Sequence, residues 1–378
     1  MNGFMMAFGL ASIMLILGTL LRAKLSFFRN MLVPASVIGG ILGLVFMNIT
    51  TELGLGIGVD ANMYTEIVNH LFTISFISIS LTSAPEEKEN GAKNILHGAL
   101  GMGIVWCLLY ALTPLVGAVI IIILGSFFGI TPEYGTLIPF AFTQGPGQAA
   151  AFGALYESYG FDNASMVAVT FAALGFVAAF LVGIPAAKSG VKRGIAKNCG
   201  KIDEHILKGY YTKQEQVNYM VKDTTCNSNI ETLSFHFALI GICYILAIGI
   251  SKLFELLPGF LGSSMSGLMF MNGMYAAYIV KFIMKKLHID FLQENVLQSK
   301  ITGWTSDYLV VCAFMSVGIK LLGNWLIPIV IEAVIVTLLT FIICFYFGQR
   351  IGGSNDFERT LGLYGTSTGT VPSGIALV

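Results

Sequence analysis

The chain has 378 residues, of which 55% are hydrophobic and only 11% are charged, with 21 basic and 21 acidic residues. Soluble globular domains carry about 25% charged residues, so this composition excludes an ordinary soluble domain. It indicates an all-α polytopic membrane protein whose main partner is the lipid bilayer. The zero net charge does not by itself point to a partner, and no nucleic acid is expected.

Apolar runs of about 20 residues, the length that crosses the hydrocarbon core, predict the membrane helices. In the first half of the chain these runs cover residues 4–21, 31–49, 67–84, 94–128 and 163–187. In the second half they cover residues 233–254, 260–283, 304–322 and 324–348. The polar segment between the halves, residues 188–231, contains eight Lys or Arg residues and is predicted to be a basic linker.

Two further stretches lie between or after apolar runs but cannot form regular helices. The first is FTQGPGQAAAFG, which begins at Phe142 and in which Gly145 and Gly147 flank Pro146. The second is YGTSTGTVPSG, which begins at Tyr364. Non-helical backbone at membrane depth must be buried in protein or line a wet cavity. We therefore predict two re-entrant helical hairpins, over residues 135–157 and 357–378.

The two halves follow the same order of elements at an offset of about 225 residues, which is the kind of repeat found in transporter folds. Each half has short spans, a polar third span, a long apolar span and then a broken hairpin. The predicted domains are a first repeat over 1–187, the linker 188–231 and a second repeat over 232–378. Each repeat is expected to contain about five membrane helices.

The distribution of Lys and Arg predicts the orientation, because these residues accumulate in cytoplasmic loops. The loop 22–30 carries three basic residues, whereas the loop 50–66 carries only acidic ones. The loops 188–231 and 281–303 are also basic. The N-terminus is therefore predicted to lie outside, and the second repeat is predicted to be inverted relative to the first. The first hairpin would then enter from outside and the second from the cytoplasm.

The sequence YGTSTGTVPSGIAL, which ends at Leu377, is similar to the second hairpin motif of the bacterial sodium/glutamate symporter family. The first hairpin resembles that family at its alanine-rich end, Gln148 to Gly153, and through the following segment from Ala164 to Gly183. The core Gln-Gly-Pro-Gly-Gln differs from the His-Gly-Thr type of core that members of the family often have. The resemblance covers nearly the whole chain.

The resemblance implies sodium-coupled symport of glutamate by alternating access, in the bacterial cytoplasmic (inner) membrane. It also implies an elevator-type architecture and a homodimer, with sodium as the coupling ion and no organic cofactor. In the family, at least one more helix follows the second hairpin, so the chain is expected to stop before the last helix of its second repeat.

The hairpins supply the candidate binding groups. The N-terminus of a half-helix presents unpaired N–H groups and the positive end of the helix dipole to an anion. Hydroxyl and carbonyl oxygens are suitable ligands for a hard cation such as sodium. The predicted substrate-binding residues are Thr143, Gln144, Gly145, Gly147, Gln148, Thr366, Ser367, Thr368, Gly369, Thr370 and Ser373. The predicted ion ligands are Thr143, Thr366, Thr368 and Glu332. The alternative interpretation of the glycines and threonines is close helix packing.

Glu332 is included because an ionisable residue inside an apolar run is expensive to bury. It could bind sodium or a proton, pair with Lys320, or lie at the membrane interface. No spacing of His, Cys or Asp predicts a zinc site, so no metal other than sodium is expected.

Other functions remain as alternatives. The chain could carry a different organic anion or amino acid, coupled to sodium or to protons. A membrane-embedded enzyme would need a converging nucleophile and base or a pair of carboxylates, and the sequence offers no such set, so we expect no enzymatic activity. A channel would normally repeat its filter around a symmetric pore, which two inverted hairpins in one chain do not do.

Overall fold

The computed structural model describes residues 3–30, 33–56, 58–82, 92–196, 208–210, 223–226, 228–351 and 356–378. Regular secondary structure in these ranges is entirely helical. The helices are α1 (Gly3–Lys24), α2 (Ser26–Asn30), α3 (Ala35–Glu52), α4 (Ala61–Leu81), α5 (Ala92–Phe128), α6 (Pro132–Gly135), α7 (Ile138–Phe142), α8 (Pro146–Ser158), α9 (Ala164–Lys192), α10 (Thr232–Phe254), α11 (Gly259–Gly267), α12 (Met269–Lys286), α13 (Asn295–Met315), α14 (Ile319–Leu322), α15 (Leu326–Gly348), α16 (Asp356–Thr368) and α17 (Val371–Leu377).

Six of the described helical segments are long and apolar enough to cross a bilayer, and the bent pair α11–α12 would be a seventh. They confirm that the chain is a multi-pass, all-helical membrane protein. Most of the predicted linker 188–231, including residues 197–207 and 211–222, lies outside the described residues.

The apolar run 260–283, predicted as one span, is divided between α11 and α12. The two helices meet at Leu268 with a bend of 72°. The Asn272 side-chain amide donates to the Met265 carbonyl at 3.0 Å, and the Ser251 hydroxyl donates to the Ser266 carbonyl at 2.8 Å. These bonds satisfy carbonyls that the break releases, which makes the bend stable in an apolar environment.

The structure divides into two compact units. Unit 1 contains Met1–Glu66, Glu87–Tyr211 and Val310–Val378, and unit 2 contains Ile67–Glu86 and Thr212–Leu309. Neither unit coincides with a predicted sequence half, because the segment after Val310 packs with the first hairpin in unit 1. The division of the chain into two repeats, 1–187 and 232–378, remains a prediction from the sequence.

Unit 2 is built on the packing of α10 against α12. Its buried core contains small and aliphatic side chains, such as Cys243 and Ala247 of α10 and Ala276 and Val280 of α12. Small residues let two helices approach closely, and lipid offers no hydrophobic drive that would replace this packing.

Unit 1 contains both broken segments together with α5, α9 and α15. The long helix α9 is almost entirely buried from Ala164 to Phe180. A helix buried on all sides in a membrane protein contacts protein rather than lipid. It is therefore positioned to hold other elements of unit 1 in place.

Candidate functional site

The first helix break lies between α7 and α8. Gly145 caps α8 with φ 87° and ψ 177°, a conformation that essentially only glycine adopts. Pro146 follows as the first residue of α8, where a missing N–H does no harm. The first intrahelical bond of α8 runs from the Ala149 N–H to the Gly145 carbonyl. The N–H groups of Gly147 and Gln148 precede it, and no side chain caps the helix.

The second helix break lies between α16 and α17, at Gly369 and Thr370. The Gly369 N–H donates to the Gly365 carbonyl at 3.1 Å, so it completes α16 instead of being available to a ligand. The Thr370 and Ser373 hydroxyls lie 3.4 Å apart, and the Gly374 N–H donates to the Thr370 carbonyl. Of the two residues at this break, Gly369 therefore has its backbone donor engaged.

The two hairpins start at opposite ends of α5. Helix α6, which leads into hairpin 1, begins three residues after Gly129 at the C-terminal end of α5. The Gly129 carbonyl accepts from the Trp325 indole N–H, and the Trp325 ring contacts Tyr134 of α6. Hairpin 2 begins near the other end, where the guanidinium of Arg359 lies beside Gly98 of α5. Each hairpin then turns back within the unit.

The tips of the two hairpins meet. A Cβ on Gly145 would lie 2.7 Å from Cγ2 of Thr370 and 3.3 Å from the carbonyl oxygen of Gly369. Ser373 is part of the same group, because its Oγ would lie 2.8 Å from a Cβ on Gly369. The structure therefore brings Gly145, Gly369, Thr370 and Ser373 together, although they come from opposite halves of the sequence.

Gly175 of α9 contacts both hairpins. A Cβ on this residue would lie 2.3 Å from the Thr368 carbonyl oxygen and 3.4 Å from the Phe142 ring. Only a glycine fits here, because a backbone carbonyl cannot rotate away as a flexible side chain does. The ends of α7 and α16 are thus held on the same helix.

Two amide oxygens at the first tip are buried without a hydrogen-bond partner in the described part of the chain. They are Oε1 of Gln144 and Oε1 of Gln148. The Gln144 side chain also lies beside the hydroxyl of Tyr110. Buried acceptors of this kind are normally satisfied, so their presence beside the start of α8 is typical of a site that binds a donor-bearing ligand.

The predicted threonine ligands all donate their hydroxyl protons to their own helices. Thr143 Oγ1 donates to the Pro139 carbonyl, and Thr366 and Thr368 donate to the carbonyls four residues earlier. Their oxygens therefore present only lone pairs to any further partner. Thr366 and Thr368 are two residues apart on α16, so their side chains point in different directions.

The remaining predicted residues are placed as follows. Ser367 is fully buried, and its hydroxyl lies beside the Cys344 thiol of α15. Glu332 of α15 lies away from both tips, against Gly117 of α5. Lys320, considered as its ion-pair partner, instead pairs with Glu52 at 3.5 Å on an exposed surface.

The tertiary structure adds Trp106 and Tyr110 of α5 to the first tip. The Trp106 indole N–H donates to the Thr143 carbonyl at 3.1 Å, and its ring stacks on Tyr110 at 5.6 Å. Tyr110 in turn packs edge-on against Phe140. In the sequence, the only signal was that these two hydrogen-bonding aromatic residues lie one helical turn apart inside an apolar run.

Comparisons with known proteins identify the family. The model of the family described as sodium/glutamate symporter matches residues 3–376. The sodium/glutamate symporters of Escherichia coli (strain K12) and Shigella flexneri are each 23% identical over 376 residues, covering 97% of this chain and 86% of the relative. No solved structure matches. The chain therefore belongs to the sodium/glutamate symporter family, whose members are membrane transporters rather than enzymes.

Proposed function

We propose that the protein is a sodium-coupled symporter of L-glutamate or a closely related acidic amino acid. The observation that carries this proposal is the contact between the two helix breaks at Gly145 and Thr370, in a member of the sodium/glutamate symporter family. Broken helices that meet inside a membrane protein form the binding sites of many secondary transporters.

The substrate would lie against the start of α8. The N–H groups of Gly147 and Gln148 and the dipole of this 13-residue helix favour a carboxylate. The amide oxygens of Gln144 and Gln148 would accept hydrogen bonds from the substrate ammonium group. The substrate-binding set that we propose is Thr143, Gln144, Gly145, Gly147, Gln148, Thr366, Ser367, Thr368, Gly369, Thr370 and Ser373.

Sodium would be held by oxygen atoms at the same tips. The hydroxyl oxygens of Thr143, Thr366 and Thr368 have their protons committed to backbone carbonyls, so they act only as acceptors. Acceptor-only oxygens suit a hard cation. A cation bound here would also reduce the repulsion between an anionic substrate and nearby carbonyl dipoles, which couples the two ligands.

For the wider architecture we propose two inverted repeats that work by alternating access in the cytoplasmic (inner) membrane, with the N-terminus outside. The start of the two hairpins at opposite ends of α5 supports inverted entry of the hairpins. An elevator-like movement and a homodimer follow from the family resemblance. Accessibility of single cysteines to a membrane-impermeant reagent tests the orientation.

The experiment is uptake of labelled L-glutamate into proteoliposomes, with an inward sodium gradient and with choline replacing sodium. We expect uptake only with sodium. Gln148→Leu removes an amide oxygen at the tip, and Thr368→Val removes a hydroxyl while keeping the shape of the side chain. Both are expected to abolish uptake in protein that remains monodisperse.

The control is Thr337→Val, because the Thr337 hydroxyl is buried in α15 and already bonded to the Ala333 carbonyl. It should transport like the unmodified protein. Sodium-independent uptake, or uptake unaffected by both tip variants, would contradict the proposal. Testing aspartate, dicarboxylates and neutral amino acids in the same assay decides between glutamate and another organic anion.

A further inference from the structure

Glu332 is a fully buried carboxyl group whose two oxygens both lack a hydrogen-bond partner in the described structure. It is located in the second turn of α15, and no basic side chain that the structure describes pairs with it. A lone carboxylate in such a place is very unfavourable, so in functional membrane proteins it usually has a partner.

The carboxyl group faces a close contact between α5 and α6. A Cβ on Gly117 would lie 2.3 Å from Oε1 of Glu332 and 2.2 Å from the carbonyl oxygen of Gly135. Because both oxygens lie so close to the same Cβ position, they are at most about 4.5 Å from each other. The absence of a side chain on Gly117 leaves the space in which these oxygens converge.

The Gly135 carbonyl has been left without its helical donor. The residue four positions later is Pro139, which has no N–H, so the bond that would continue the helix from α6 into α7 cannot form. Thr113, one turn before Gly117 on the same side of α5, adds a fully buried hydroxyl without a described partner. All of these groups offer oxygen atoms.

This cluster is separate from the hairpin tips. Trp106 contacts the first tip and Gly117 contacts Glu332, and the two residues are 11 positions apart on α5. At 1.5 Å per residue this corresponds to about 16 Å along the helix. A ligand bound at Glu332 would therefore not be the ligand of the tips.

We propose that Glu332, with the Gly135 carbonyl, forms a second binding site for a monovalent cation, which we take to be sodium. The inference rests on the proposed sodium coupling and adds an ion site outside the tips. A cation would satisfy both carboxylate oxygens and the carbonyl at once, whereas a single proton would leave one carboxylate oxygen without a partner. Because Gly135 belongs to the entering arm of hairpin 1, the ion would fix that arm to α5 and α15.

The test is sodium-dependent thermal stabilisation of the detergent-purified protein, measured without substrate and with choline keeping the ionic strength constant. The unmodified protein is expected to gain stability as sodium rises, because the ion binds the folded state. Glu332→Gln keeps the shape and removes the charge, so the sodium concentration at half-maximal stabilisation should rise by about tenfold or more. An unchanged sodium dependence in this variant overturns the proposal.

A second variant keeps the test decisive if Glu332→Gln does not fold. Pro139→Ala gives the Gly135 carbonyl a helical N–H donor that competes with the cation, so the half-maximal sodium concentration should also rise. Thr337→Val is the matched control on α15 and should not change it. Stabilisation of the unmodified protein by lower pH instead of by sodium would identify a proton site and overturn the cation assignment.

These outcomes are distinguishable from failure of the proposed transport function. Stabilisation by sodium without substrate does not require that glutamate is transported. If proteoliposomes take up no glutamate but sodium still stabilises the unmodified protein and not Glu332→Gln, the ion site stands. If glutamate uptake is sodium-dependent but Glu332→Gln has normal sodium dependence in both assays, only the second site is rejected.

Discussion

Gly145 and Thr370 are in van der Waals contact: a methyl group on Gly145 would lie 2.7 Å from Cγ2 of Thr370. The two residues are 225 positions apart in the sequence, and each lies in a break between two helices. Their contact places the start of α8 beside the end of α16.

Gly145→Ala is expected to reduce uptake by about tenfold or more. The φ and ψ of Gly145 cost a residue with a side chain about 1–3 kcal/mol, and the new methyl group would collide with Thr370. The tips must then separate. Initial uptake rates at equal protein density measure the effect.

The control for this prediction is Gly103→Ala in α5, where an added Cβ meets no atom within 4 Å. It should leave uptake unchanged, and alanine favours the helix slightly over glycine. Normal uptake by Gly145→Ala would show that the tips tolerate separation and would contradict the assignment of the site.

Trp106→Phe is expected to weaken substrate affinity while preserving the fold. The phenyl ring keeps the stacking on Tyr110 but removes the N–H that bonds the Thr143 carbonyl. Loss of one such bond costs about 1 kcal/mol, which corresponds to a rise in KM of about fivefold. Concentration-dependent uptake measures KM. Trp304→Phe, a change in unit 2, should leave KM as it is; equal effects of both variants would refute a specific role for Trp106.

His236→Phe is expected to destabilise the protein by about 1–3 kcal/mol, because it leaves buried backbone groups unpaired. The His236 ring is fully buried; its Nδ1 bonds the Thr232 carbonyl at 2.7 Å, and its Nε2 accepts from the Glu294 N–H at 2.8 Å. Thermal unfolding in detergent measures the change. His236→Asn can replace only the bond to the Thr232 carbonyl, so its Tm should lie between those of the unmodified protein and His236→Phe. Equal Tm values for these three proteins would contradict the prediction.

Cys226 is expected to be alkylated at lower pH than an ordinary cysteine. The Ser228 side chain and backbone hydrogen-bond its sulfur and lower the pKa of the exposed thiol. A lower pKa means that more thiolate, the reactive form, is present near neutral pH. The pH profile of alkylation by iodoacetamide in opened membranes measures this. Ser228→Ala should move the midpoint of the profile upward, and an identical midpoint would disprove the role of Ser228.

Several features of the fold were predictable because they depend on local sequence. A run of about 20 apolar residues must form a membrane helix, since its backbone cannot be left unpaired in lipid. The Gly-Pro-Gly around Pro146 predicted a helix break for an equally local reason. The bend at Leu268 was not predictable from hydropathy, because the run 260–283 carries a charge only at Lys281 and therefore reads as one span. The stabilising amide of Asn272 follows the bend by four positions.

The candidate site was only partly predictable. The resemblance of the hairpin motifs indicated the residues at the tips, and the structure brings several of them into contact. It also shows that Gly369 has its N–H engaged within α16 and that Glu332 lies apart from the tips. Trp106 and Gly175 were absent from the predicted set, because neither belongs to a broken segment. Their roles depend on which helix packs beside each tip.

The amino-acid sequence by itself determined that this is a helical membrane protein with two interrupted helices, because apolar length, glycine and proline act on the backbone within a few residues of their own position. Only the tertiary structure decided that the two interruptions meet, that Gly175 holds both of them and that Glu332 faces Gly135 rather than Lys320. Those contacts join residues that are far apart along the chain, and their geometry is set by how whole helices pack, which no short stretch of sequence specifies.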